Sequence, residues 1–178
     1  NNLGVVGAVI TGTNSDIGAI AGSLLHSTIS NCFVANSTLT GGTTVGAIVG
    51  HLNSGSSVSN CYSQNYSITG SGKLGGIVGA NDGSSQLINC YSTTKITSTG
   101  ATQQSVQPLV GNSQAGYGNN RFVNCFYLTD WTTNTGYTVT AQSNQTPIDP
   151  TISAEVNNMI SALVGDGTTE YCADQFKL

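Results

Sequence analysis

Charge is what this sequence has least of: only 7% of its 178 residues are Asp, Glu, Lys or Arg, against roughly 25% in an ordinary soluble domain. Four basic residues against eight acidic ones, a net charge of -4, cannot form the cationic stripe that nucleic acid or an anionic membrane surface requires. Long apolar runs are missing as well. None approaches the roughly 18 residues of a membrane span, and no charged-then-apolar signal segment is found at the start. Helix-forming stretches are absent from residues 1 to 145, where Gly and Ser/Thr/Asn clusters interrupt every run before about 10 residues accumulate; helical repeats are therefore excluded. Leucine is equally scarce. Gly46 to Leu74 contains only Leu52 and Leu74, too few for a leucine-rich repeat.

What the chain does have is repetition. Gly18-Ala19-Ile20-Ala21-Gly22 recurs as Gly46-Ala47-Ile48-Val49-Gly50 and Gly75-Gly76-Ile77-Val78-Gly79, and more loosely as Gln107-Pro108-Leu109-Val110-Gly111. Each block precedes an Asn-Cys-aromatic triplet: Asn31-Cys32-Phe33, Asn60-Cys61-Tyr62, Asn89-Cys90-Tyr91 and Asn124-Cys125-Phe126. Cys32 to Cys61 and Cys61 to Cys90 are each 29 residues; Cys90 to Cys125 is 35, lengthened by extra residues around Gln103 to Pro108 and Gln114 to Asn120. A third phase returns at Ile10-Thr11, Leu39-Thr40, Ile68-Thr69 and Ile96-Thr97. Asn2-Leu3 through Gly12 overlays Asn31-Cys32 through Gly41, so the sequence opens in mid-repeat.

β-Branched and aromatic residues between Gly/Ser turns give three strand candidates per unit, such as Val45 to Leu52, Ser57 to Ser63 and Tyr66 to Thr69. A coil of three such strands accounts for the period, and stacking coils at roughly 4.8 Å sets like residues above one another. Three inward columns result: Ile20, Ile48, Ile77 and Leu109; Ile29, Val58 and Leu87; Leu39, Ile68 and Ile96. No single coil buries such a core alone. The expected fold is all-β, a parallel, right-handed β-helix of about 29-residue coils over residues 1–128, ahead of a β-propeller or sandwich. The repeated glycines are expected to allow a sharp turn or a close approach of backbones.

The pattern Val-Gly-Ala/Gly-Ile-Val-Gly, a short polar turn, then Ser/Ile-Asn-Cys-Tyr-Ser resembles the GLUG repeat of large bacterial and protist surface or secreted proteins. The resemblance covers residues 2 to 128, and the fourth unit departs from it at Gln107-Pro108. It implies a stalk or spacer at a cell surface and transfers no catalytic residue.

Residues 129–178 lose the period. They read as an irregular or strand-like segment followed by a short capping helix, in which Val156, Met159, Ile160 and Leu163 fall at helical spacing, with Ser153 as N-cap and Gly165 beyond the end. Its apolar stripe suits the open end of the last coil. Six of the eight acids lie in this segment.

Chemistry is thinly represented. Between Gly18 and Cys125 the acid is Asp82 and the bases are Lys73, Lys95 and Arg121, with His26 and His51. The paired carboxylates of a polysaccharide-cleaving β-helix are missing, and Asn81-Asp82-Gly83 is turn chemistry. The histidines fall at different phases and no Cys-x-x-Cys occurs, so neither a metal site nor a cofactor is expected. Cys32, Cys61, Cys90 and Cys125 share one phase and read as a buried ladder of reduced thiols, disulfides between rungs being disfavoured because parallel Cβ vectors oppose the required dihedral. Cys172 is off-phase; a disulfide between Cys125 and Cys172 forms only if the C-terminal segment folds back. Asn31, Asn60, Asn89 and Asn124 are expected to pass hydrogen bonds from coil to coil. Asn36, Asn65 and Asn144 head glycosylation sequons, the first two one repeat apart.

These features point to an extracellular structural protein without catalytic function, a rigid stalk or filament subunit at the cell surface. The expected partner is itself, head to tail, or further repeats of a longer chain. An adhesive module presenting a coil face to a glycan or host protein is the competing reading, disfavoured by sparse aromatics. A hydroxyl ladder ordering water is weaker still, because the Thr column at Thr11, Thr40, Thr69 and Thr97 lacks a matching second column.

Overall fold

The structure, a computed structural model, describes residues 1–13, 16–64, 67–100, 105–113, 122–128 and 145–148. Within them the chain winds as a parallel β-solenoid with a repeat of about 29 residues. Three of its walls take one short strand from each coil, and in the lower coils two further short strands share the remaining wall. One wall stacks β2 (Val9–Thr11), β7 (Thr38–Thr40), β12 (Ser67–Gly70) and β16 (Ile96–Ser98). A second stacks β3 (Asp16–Ile17), β8 (Thr44–Gly46), β13 (Lys73–Gly75) and β17 (Val106–Gln107), and a third β4 (Ala21–Leu25), β9 (Val49–Asn53), β14 (Val78–Asn81) and β18 (Val110–Ser113).

The remaining wall bends at the Asn-Cys pair. On one side of the bend lie β5 (Thr28–Ser30) and β10 (Ser57–Ser59), on the other β1 (Gly4–Val6), β6 (Phe33–Ala35) and β11 (Tyr62–Gln64). In the upper rungs β15 (Gln86–Ser92) and β19 (Phe122–Leu128) run through the bend as single strands. Pairing is parallel and in phase throughout, for example Ile10 with Leu39, Leu39 with Ile68 and Ile68 with Ile96. A further strand, β20 (Gln145–Ile148), adds to β19 with Gln145 opposite Cys125. The wall therefore continues into the segment where the sequence loses its period. The capping helix expected near Ser153 to Leu163 lies outside the described residues.

Two expectations about the elements need correction. Val45 to Leu52 is two strands, because Ala47 and Ile48 turn the corner between β8 and β9. Ser57 to Ser63 is likewise two, because Asn60 adopts a left-handed φ of 51°. The corner beside β8 and β9 explains the glycines: a Cβ on Gly50 would lie 2.5 to 2.6 Å from backbone atoms of Asp16, Ile17 and Gly22. Two walls thus meet backbone to backbone, with no side-chain layer between them.

The expected inward columns are present. Ile48, Ile77, Leu109, Val58, Leu87, Leu39, Ile68 and Ile96 have no solvent exposure. Ile17, Val45, Leu74 and Val106 make a fourth column. Another column is mixed: Val34 is followed one and two rungs up by Ser63 and Ser92. There Ser63 Oγ lies 2.9 Å from the hydroxyls of both Ser92 and Thr94, an interior polar cluster.

Candidate functional site

The Asn-Cys bend is built from the backbone outward. Asn31, Asn60, Asn89 and Asn124 all take φ between 49° and 55°, a left-handed conformation that asparagine tolerates better than other residues with a Cβ. Their carboxamides then hydrogen-bond along the axis: Asn60 Nδ2 donates to Asn31 Oδ1 at 3.0 Å, Asn89 to Asn60 at 2.9 Å and Asn124 to Asn89 at 3.1 Å.

The next residue turns inward. Cys32, Cys61, Cys90 and Cys125 are buried, free thiols; Cys172, the conditional disulfide candidate for Cys125, lies outside the described residues. Each thiol donates to the carbonyl two residues earlier, Cys61 to Ser59 at 3.0 Å and Cys32 to Ser30 at 3.1 Å. The sulfur also accepts from the coil below, Leu3 N reaching Cys32 Sγ at 3.5 Å and Cys32 N reaching Cys61 Sγ at 3.4 Å. These thiols are therefore more than apolar filling, because they replace carbonyl partners that the bend displaces. Burial pushes the Cys61 thiol up to about 12 and holds Cys90 well above the ordinary thiol value, while the hydrogen bond from Cys90 lowers that of Cys125 against the effect of burial.

Serine does the same work at two other corners. Ser27 N donates to Ser56 Oγ at 3.2 Å, Ser56 N to Ser85 Oγ at 3.1 Å, and Ala8 N to Ser37 Oγ at 3.1 Å. Sequence reasoning missed this set. Its signal was present as serine at positions 27, 56 and 85, one period apart.

Outside the bend, Phe33, Tyr62 and Tyr91 stack ring on ring, with centroids 5.1 and 5.0 Å apart and planes within 4° and 11°. The rings turn their faces to one another, and Phe33 lies over Gly4, so a sugar ring cannot stack between the rungs of this column. Asn36 is exposed at a left-handed turn between β6 and β7, accessible for glycan attachment; Asn65 and Asn144 lie outside the described residues. The Thr11, Thr40, Thr69 and Thr97 column is in register.

One cluster departs from what the spacing suggested. His51 is not a turn residue. It lies on β9, half-buried, with Nε2 2.7 Å from Asp82 Oδ2 and Nδ1 3.5 Å from Asp16 Oδ2. Asp82 follows β14 at the Gly83 turn, as expected, yet its carboxylate turns back to the ring. Its position one rung up and two residues along from His51 puts both on one face of the wall, a relation that the phase arithmetic contained. His26, by contrast, is exposed at a turn with φ 47°. Among the described residues no three His, Cys, Asp or Glu side chains surround a common point as a metal ion requires, and no helix is long and apolar enough to cross a membrane.

Comparison of the chain with family models, with curated proteins and with solved structures returned no match.

Proposed function

We propose that this chain is an extracellular, non-catalytic structural repeat of the GLUG type, forming part of a rigid stalk or filament at a cell surface. The observation that carries the reading is the direction in which its polar and aromatic groups interact. Carboxamides, thiols, corner hydroxyls and rings pair with the same residue type one rung away, along the axis, rather than converging on a site. Such a molecule gains stiffness with each coil added and needs no ligand to do so. Low charge and a Ser/Thr/Asn-rich surface support display outside the cell.

At the lower edge, β1 to β5 pair with strands on one side only among the described residues. Leu3, Val6, Val9 and Leu25 are 47 to 80% exposed there. This edge is suited to another coil, from the same polypeptide or from a neighbouring subunit; in the second case head-to-tail contacts generate a filament.

Electron microscopy of the native material, with antibody labelling of intact cells, tests the proposal. Surface-labelled rods or filaments are expected, and a protein confined to the cell interior overturns it. Val6→Pro should abolish end-to-end association. Saturable glycan binding by the coil face would favour the adhesive reading instead.

A further inference from the structure

The one cluster of carboxylates and imidazole among the described residues joins three successive coils, and nothing in a stalk or filament role accounts for it. Asp16 comes from β3 in the first coil, His51 from β9 in the second, and Asp82 from the turn after β14 in the third. The side chains are 28, 22 and 25% exposed, wet enough to exchange protons with solvent and covered enough to hold their geometry. The elements packed against β9 add no other charge. β4 sets Ser23 opposite His51 and β14 sets Ala80 there, β8 contributes Thr44, Val45 and Gly46, and β3 contributes Asp16. Lys73 stands in the column of Asp16 with Thr44 between them.

We propose that His51 is a pH-operated clasp that holds the first coil onto the second and third. A neutral imidazole has a single N–H. Used at Nε2 for Asp82, 2.7 Å away, it leaves the Nδ1 lone pair facing the Asp16 carboxylate at 3.5 Å, a repulsive contact. Only the imidazolium donates from both nitrogens and attracts both carboxylates. Protonation therefore closes the clasp, and loss of the Nδ1 proton releases Asp16 and the corner next to it. That corner is held to the second coil by Ala19 N to Ala47 O, Ile20 N to Ile48 O and Ala21 N to Ile48 O, amides whose exchange reports its opening.

Amide hydrogen exchange of the intact chain at several pH values from 5 to 8 tests this. Protection of Ala19, Ile20 and Ala21 is read relative to Gln86 and Tyr91, whose amides bond to Ser56 O and Cys61 O in higher coils, so that the intrinsic pH dependence cancels. In the wild type the relative protection is expected to fall about threefold as pH rises, the size a partly exposed ion pair supplies. It is expected to be flat in both His51→Gln and Asp16→Asn. No fall in the wild type overturns the proposal. So does a fall that survives in His51→Gln, which assigns the effect to another group, or one that survives in Asp16→Asn, which reduces the cluster to an His51–Asp82 pair. Retained protection at Gln86 and Tyr91 establishes that each variant is folded.

Discussion

Asparagine and cysteine sit side by side at four successive bends because the bend asks two different things of the chain. The first residue has to accept positive φ, and the second has to supply a hydrogen-bond partner where the ladder breaks. Asn60→Gly keeps the conformation and loses the carboxamide bonds, whereas Asn60→Ala loses both. Alanine should therefore be the more destabilising by about 1 kcal/mol, the cost of a left-handed residue with a Cβ, in paired denaturant titrations. At Cys61 the order follows from the bond geometry. Ala leaves Cys32 N–H without its acceptor and should cost about 1 to 3 kcal/mol; Ser keeps a donor and an acceptor, although with a smaller atom, and should cost less. An equal or larger loss for Ser would restore the view of the column as purely apolar packing. The thiol also predicts an alkaline signature. Its value is 9.0 when unperturbed and about 12 in the fold, so the native state holds a proton that the unfolded state has released. Stability from this group is complete below pH 9.0 and declines through the window up to about 12, by at most about 1.4 kcal/mol per pH unit. A Cys61→Ala variant should show a shallower decline, with Cys90 keeping its own share, and the native thiols should resist labelling until denaturant is added.

Among the elements, the wall-to-wall corner carries the sharpest steric demand. Gly50→Ala must push backbone atoms of Asp16, Ile17 and Gly22 apart, whereas a Cβ on Gly55 meets nothing within 4 Å and has only its φ of 68° to contend with. The first substitution should therefore destabilise by about 3 kcal/mol or more and the second by about 1 to 2, measured in the same titration. Much of this level was legible beforehand. Period, phase and apolar columns follow from recurrence alone, since stacked coils repeat in space what the chain repeats in sequence. Strand boundaries were harder to see, because breaks at Ala47-Ile48 and at Asn60 depend on backbone angles that Ala, Ile and Asn do not announce individually. The hydroxyl cluster of Ser63, Ser92 and Thr94 was hidden for another reason: its column begins with Val5 and Val34, and alternation marks a position as inward without saying what fills it. For His51 and Asp82 the informative quantity is their offset across rungs, which neither residue shows on its own.

At the scale of the whole molecule, a coil interacts mainly with its two neighbours, so the solenoid should tolerate loss of a complete period far better than loss of part of one. Deleting residues 60–88 joins Ser59 to Asn89, and Ser59 already pairs with Ile88 in register. Asn89 then takes the place of Asn60 above Asn31, Tyr91 stacks on Phe33, and Leu87 leaves its column without displacing Ile29 or Val58. Every remaining residue keeps its phase. Deleting residues 60–73, about half a coil, instead sets one wall over another, turns inward residues outward and separates the bend from its ladder. The whole-period variant is expected to retain a β-sheet circular dichroism spectrum and a cooperative denaturant transition, with a smaller m-value because one rung less surface is exposed on unfolding. The half-period variant should be unfolded or aggregated, since its strand edges meet the wrong partners. If the two deletions were equally well folded, stability would reside in the separate walls, and the rung-by-rung ladders would not be what holds the coils together.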